Sequence, residues 1–219
     1  MSTLLTINIE NQESDAMMFY VFQEPAIYVG GPQVYTNSLW SGLLGNRTTT
    51  GGSLTFQINM QFYAGIQQAH TTPQIGHSSG YASAIQAIDI ATDGKVTNDS
   101  VIATYTPLGL TTPVNEPGVQ GGAYRINTPS FSPPAIYNVG SAIEVVDQGV
   151  VMSNFVIAKP NNHVDCQPIL KFYVATGSYT PGTVMNFSQA SQTAALCDFT
   201  GGKPELNVTL SNNGDWAVA

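Results

Sequence analysis

Short runs of alternating apolar and polar residues recur along this chain, and they constrain its fold more than any other feature. Leu5-Thr-Ile-Asn-Ile9 is apolar at odd positions, and Leu54-Thr-Phe-Gln-Ile-Asn-Met60 is apolar at even ones. Leu206-Asn-Val-Thr-Leu210 repeats the pattern near the C-terminus. Successive side chains on a strand point to opposite faces, so each run turns one apolar face to a core and one Asn/Thr/Gln face to water. Val150 to Ala158 and Ile169 to Ala175 are more continuously apolar, β-branched or aromatic, as strands covered on both faces are.

Glycine and proline interrupt almost every interval between these runs, at Gly30-Gly-Pro32, Gly51-Gly52, Pro117-Gly118, Pro133-Pro134, Pro181-Gly182 and Gly201-Gly202. Turns recurring between short strands favour a sandwich or a barrel. Asn213-Gly214, set between Leu206–Leu210 and Trp216–Val218, is a hairpin signal, and it predicts a terminal hairpin whose last strand carries Trp216. Ser79 to Ile90 is the one stretch whose spacing suits a helix, with Ala84, Ile85 and Ile88 on one side. Thr106 to Pro134 is rich in Pro, Gly, Thr and Asn and reads as a long loop, of the kind that is functional or mobile. With 219 residues and no internal repeat or composition shift, the expectation is one domain over residues 1–219. Its expected fold is all-β, a single antiparallel two-sheet sandwich of roughly eight to twelve strands with at most one short helix.

Charge narrows the function. Only 9% of the residues are Asp, Glu, Lys or Arg, against about 25% in an ordinary soluble domain. Hydroxyls and amides must therefore carry the surface. The net charge is −8, and the six bases (Arg47, Lys95, Arg125, Lys159, Lys171, Lys203) form no run, which disfavours nucleic acid and anionic membranes as partners. No window approaches 18 uninterrupted apolar residues, so no transmembrane segment is expected. The first ten residues read as a strand rather than a signal peptide, which predicts a cytoplasmic protein or one exported without such a peptide.

Four patterns bear on catalysis, metals or redox chemistry. Gly76-His77-Ser78-Ser79-Gly80 matches G-x-S-x-G, which as a nucleophile elbow needs a core strand before it and a helix after it. His70-Thr-Thr-Pro-Gln-Ile75 is a poor core strand, although His163 with Asp147 or Asp165 nominally completes a triad. The pattern is therefore read as a polar turn, and no catalytic residue is assigned. His163-Val-Asp165-Cys166 gathers metal-capable side chains, but zinc wants further His or Cys ligands and only His70 and His77 remain. Asp93, Asn98 and Asp99 could offer calcium oxygens without matching an EF-hand, so neither metal nor cofactor is expected. Cys166 and Cys197, if paired, would close a loop of about 30 residues worth roughly 3–4 kcal/mol; unpaired, they serve as small buried hydrophobes.

Aromatic residues point to binding. Rings beside amides suit sugars or lipid headgroups, because a ring covers an apolar face while amides bond hydroxyls. Tyr28, Tyr35, Asn37 and Trp40, flanked by the loop signals Gly30-Gly-Pro32 and Thr36-Asn-Ser38, form one candidate surface, and Tyr105 with Tyr137 forms another. The leading expectation is a non-enzymatic, lectin-like or cell-surface binding protein that forms a homo-oligomer and takes a glycan or lipid headgroup. The alternative is a self-assembling filament, shell or inclusion, since low charge and amide-rich faces let neighbours pack. An esterase using Ser78, or a pore former inserting Leu54–Phe62, stands further off.

Ile7-Asn-Ile-Glu-Asn-Gln12 with Phe19-Tyr-Val-Phe-Gln-Glu-Pro25, and Phe172-Tyr-Val-Ala-Thr-Gly-Ser-Tyr-Thr-Pro-Gly-Thr-Val184 leading to the terminal hairpin, are a second kind of signal. They resemble a loosely defined group of small bacterial and fungal all-β proteins, some of them similar to the rhizosphere-expressed protein family. The resemblance covers about a quarter of the chain, at both ends. It implies an all-β fold and no enzymatic activity, and it carries no site residues.

Overall fold

The alternating runs do become strands. The computed structural model describes residues 4–29 and 33–219. Its first seven strands are β1 (Leu4–Asn11), β2 (Met17–Gln23), β3 (Ile27–Tyr28), β4 (Tyr35–Leu44), β5 (Leu54–Asn59), β6 (Tyr63–Ala69) and β7 (Ala82–Ala87). Then come β8 (Ser100–Tyr105), β9 (Leu108–Leu110), β10 (Tyr124–Thr128), β11 (Ile136–Val145), β12 (Gly149–Ile157) and β13 (Asn162–Gln167). The last are β14 (Lys171–Thr176), β15 (Val184–Met185), β16 (Ala195–Asp198), β17 (Glu205–Leu210) and β18 (Trp216–Val218). Among the described residues, helix is confined to the single turns α1 (Arg47–Thr50) and α2 (Phe187–Ala190) and a 3-10 turn at Ser191–Thr193. No helix among the described residues is long and apolar enough to cross a membrane.

The architecture is all-β, with more strands than the roughly eight to twelve expected and two short helices instead of at most one. Thirteen strands form one sheet in the order β16-β14-β2-β4-β12-β11-β5-β1-β17-β18, with β15 on β4 and β6–β7 branching from β11. This sheet curls until its end strands β16 and β18 bring Cα atoms within 8 Å of each other, so it is nearly closed and barrel-like. Trp216 fastens the seam. Its indole N–H donates to the Thr193 carbonyl at 2.9 Å, and its ring meets Phe19 edge-on at 6.1 Å. The predicted hairpin at Asn213-Gly214 supplies that strand, with Leu210 opposite Trp216 and Gly214 at φ +83°. Pairing is not purely antiparallel: β1 runs parallel to β17, and β8 parallel to β10.

Two large hydrophobic cores and two smaller clusters are formed among the described residues. Ile7, Ile9, Phe56, Phe172 and Val208 fill the curl of the large sheet. Ile66, Val101, Tyr124, Val139 and Cys166 fill the space between the β6–β11–β12 wall and a five-stranded sheet, β3-β13-β10-β8-β9. Each fully buried Phe or Ile contributes about 1.5–3 kcal/mol of transfer free energy. The β11–β12 hairpin serves both cores from one face, with Val139 and Ile143 on β11 and Val151 and Val156 on β12. Val151 and Val156 have opposite parity. They share a face because the register shifts between Ser141 and Ala142, leaving Ser153 as a bulge.

Residues 79–90 are not helical. They enter β7, antiparallel to β6, with burial alternating between half-buried and exposed from Ala82 to Ala87. Alanine at 82, 84 and 87 blurs a period-two pattern, and the free edge of β6 overrides the helical preference of those alanines. The long loop at 106–134 is interrupted by β9 and β10 and pinned to the five-stranded sheet. Asp99, 2% exposed, accepts from the Glu116 N–H at 3.0 Å. Glu116 accepts from Ser100 Oγ (2.6 Å), Asn127 Nδ2 (2.7 Å) and Arg125 Nη1 (2.9 Å). Burial pushes the Glu116 carboxyl up, but these hydrogen bonds and the guanidinium charge outweigh it and hold it below the usual carboxylate range. A depressed folded-state value contributes stability that is present above the unfolded value and is lost as pH falls through the folded one. Glu116→Gln is therefore expected to lower Tm at neutral pH and to flatten the acid limb of a Tm-against-pH series. An acid limb parallel to that of the wild type would contradict this role.

Candidate functional site

The residues expected to bind ligand divide into buried and packed groups. Tyr28 is buried; its hydroxyl donates toward Asn154 O (2.8 Å) and accepts from the Ser141 N–H (3.1 Å). Burial, with Cys166 and Tyr124 beside it, pushes that hydroxyl well above the ordinary tyrosine value. Asn37 is wholly buried and donates to Ser79 Oγ and Met152 O, each at 2.9 Å. Trp40 packs against the first core beside Phe56, 6.1 Å between centroids. Tyr35 is half-buried and stacks on Phe155 at 5.5 Å. Tyr28, Asn37 and Trp40 are taken up by the interior and do not make the exposed surface the sequence suggests, while Tyr35 keeps part of its ring at the surface.

Tyr105 and Tyr137 do come together, at 4.4 Å, with Phe131 at 5.2 and 5.1 Å from them. Tyr137 is buried, and the Tyr105 hydroxyl donates to Pro129 O at 3.1 Å. Burial first, then the neighbouring Tyr137, pushes Tyr105 up to about 12. The three rings spend their faces on one another.

Asp165 is engaged by a bidentate pair with Arg125 (2.6 and 2.8 Å), while His163 on the same face of β13 is exposed. Among the described residues no group of three or more His, Cys, Asp or Glu could hold a metal ion. Cys166 and Cys197 are free thiols in different cores, so the possible bridge is not formed; burial pushes both up to about 12. Within Leu54–Phe62, Phe56 and Ile58 face the first core and β5 is paired to β1 along its length, so no free amphipathic hairpin is presented.

The G-x-S-x-G stretch lies between β6 and β7, with neither a strand directly before it nor a helix after it. Both glycines have backbone reasons. Gly76 sits at φ +83°, and a Cβ on Gly80 would lie 2.6 Å from the Gln68 carbonyl oxygen. Ser78 Oγ donates to Gly80 O at 2.8 Å. The turn is clamped to residues 182–184: Gly76 N–H to Val184 O (2.8 Å), Val184 N–H to His77 O (2.9 Å) and Ser79 N–H to Gly182 O (3.1 Å). From beneath, buried Asn37 holds the Ser79 hydroxyl and buried Asn138 donates to Ser79 O at 2.8 Å. Asn37 thus supports the turn from inside.

This clamped turn walls a cleft of about 380 Å³, lined by His70, Thr71, Thr72, Gln74, His77, Ser78 and Tyr81 among others. No Asp, Glu, Lys or Arg is among its lining residues. His70 and Tyr81 stack at 4.0 Å and 13° on its rim, with Tyr81 53% exposed. The arrangement offers a ring surface, amide and hydroxyl groups and imidazoles, on a backbone already fixed before any ligand arrives. Sequence reasoning weighed His70 only as a metal ligand and took neither Gln74 nor Tyr81 as a site residue. The glycine pair at 76 and 80 marks the tight turn beside them but not its clamp to residues 182–184. Compared with known proteins, the chain matches no family model, no curated protein and no solved structure.

Proposed function

We propose that this chain is a non-enzymatic, lectin-like binding protein that takes neutral glycans in the cleft at His70–Tyr81. One observation carries the reading: a pre-clamped cleft with no Asp, Glu, Lys or Arg among its lining residues and an exposed stacked ring pair on its rim. Sugars present apolar C–H faces and many hydroxyls, so an aromatic surface beside amides and hydroxyls complements them. A site fixed beforehand loses little entropy on binding. A charged headgroup would find no Asp, Glu, Lys or Arg among the lining residues.

Assembly through strand edges is the weaker reading. The edge strands β3, β9 and β18 have two or three residues, and such short edges resist pairing with other chains, although β7, six residues long and paired only to β6, is a longer edge. The test is an array of neutral glycans probed with wild type and Tyr81→Ala. Tyr81 is exposed, so its truncation spares the fold. Retention by wild type and a loss of at least about tenfold in the variant is expected, equivalent to about 1.4 kcal/mol. Equal retention by both would place binding elsewhere, and silence of the wild type would remove the reading.

A further inference from the structure

We infer that the ligand is a chain of neutral sugar units that crosses the ridge formed by residues 74–79 and enters a second cleft behind it; this rests on the glycan reading above. The second cleft, about 300 Å³, is lined by Tyr35, Thr36, Ile75, Asn186 and Ser188 among others. Gln74 lines the first cleft and its neighbour Ile75 the second, so the two lie back to back across a single peptide. Each volume is at the lower end of the range for ligand pockets, about 300–1,000 Å³, and suits one small group rather than a large one.

The chemistry repeats on both sides of the ridge. Neither cleft has an Asp, Glu, Lys or Arg among its described lining residues, although the chain carries 20 such residues, 14 acids and 6 bases. Each combines an aromatic ring with an amide and a hydroxyl: Tyr81 with Gln74 and Ser78 in one, Tyr35 with Asn186 and Ser188 in the other. Ile75, 60% exposed, adds an apolar face on the far side of the ridge. The ridge itself is tied to Thr183 and Val184 by backbone pairing, which holds the two clefts on either side of it. Like chemistry on either side of one ridge fits a ligand made of like units. Engaging both sites at once raises affinity through effective concentration, without new contacts at either.

The experiment is calorimetric titration with neutral gluco-, manno-, galacto- and N-acetylglucosamine oligosaccharides, from the monosaccharide to the hexamer, on wild type, Ile75→Ser and Tyr35→Ala. In the series that binds, affinity is expected to rise about tenfold or more with chain length. In Ile75→Ser the ratio of hexamer to monomer affinity is expected to fall to near one. Ile75 is exposed, so this variant keeps the test sound if Tyr35→Ala, which loses its stack on Phe155, fails to fold. Binding that is sensitive to Tyr81→Ala yet equal for monomer and hexamer would overturn the second cleft and leave the first standing. Silence of the wild type across every series would overturn both.

Discussion

Arg125→Met should destabilise the protein by about 3–5 kcal/mol, the cost of removing one partner from a buried ion pair. The Arg125 side chain is 12% exposed and that of Asp165 is 6% exposed, and the guanidinium holds Asp165 through two parallel bonds. The same group reaches Glu116 at 2.9 Å and Gly118 O at 3.2 Å, so it joins β10, β13 and the segment beyond β9. Without it, Asp165 is left buried with no cationic partner, and the 111–122 segment loses one of its anchors. Urea unfolding measures the loss. The double variant Arg125→Met with Asp165→Asn should lose less than the two single losses added together, because it leaves no unpaired charge. A loss below about 1 kcal/mol would mean the pair behaves as an exposed surface bridge.

Gly140→Ala should cost about 3 kcal/mol or more. Gly140 lies in β11 against β12, where a Cβ would sit 2.7 Å from the Phe155 Cα and closer still to Asn154 O and the Tyr28 hydroxyl. Neither neighbour can yield. One is strand backbone, and the other is held by Asn154 and Ser141. Overpacking of a close-packed core costs about 1–3 kcal/mol, and displacing the Tyr28 hydroxyl adds the cost of a buried polar group left unpaired. Gly65 is a contrast, since its added Cβ would meet the flexible end of Met152. Placing Tyr28→Phe in the Gly140→Ala background should relieve part of the clash, so the double variant loses less than the sum of the singles. Strict additivity would show that Tyr28 does not set the tolerance at this position.

How much of this was legible in the sequence depended on what each residue reports about itself. Leu5–Ile9, Leu54–Met60 and Leu206–Leu210 announced their strands because period two is a local property, and Asn213-Gly214 announced its hairpin for the same reason. Barrel-like closure was not local: it depends on β16 and β18, far apart in the path of the sheet, being drawn together by Trp216. The Ala-rich segment at 82–87 misled because alanine suits a helix or a half-buried strand equally, and only the open edge of β6 decides.

At the candidate site, aromatic identity was a poor guide. Tyr28 and Tyr137 are as aromatic as Tyr81, but they are buried, and exposure is a tertiary fact. The polar segment 70–81 was visible as a turn. That it is clamped to 182–184 was not, because that contact joins positions about a hundred residues apart and carries no pattern in either segment.

Backbone amide shift mapping of the labelled full chain, during titration with the best-retained neutral oligosaccharide, tests the central claim most directly. The account predicts perturbations concentrated at residues 70–81 and 182–184, saturating with the calorimetric affinity. Perturbations confined to the Tyr105–Phe131–Tyr137 cluster or to the β16–β18 seam, with residues 70–81 unmoved, would contradict it.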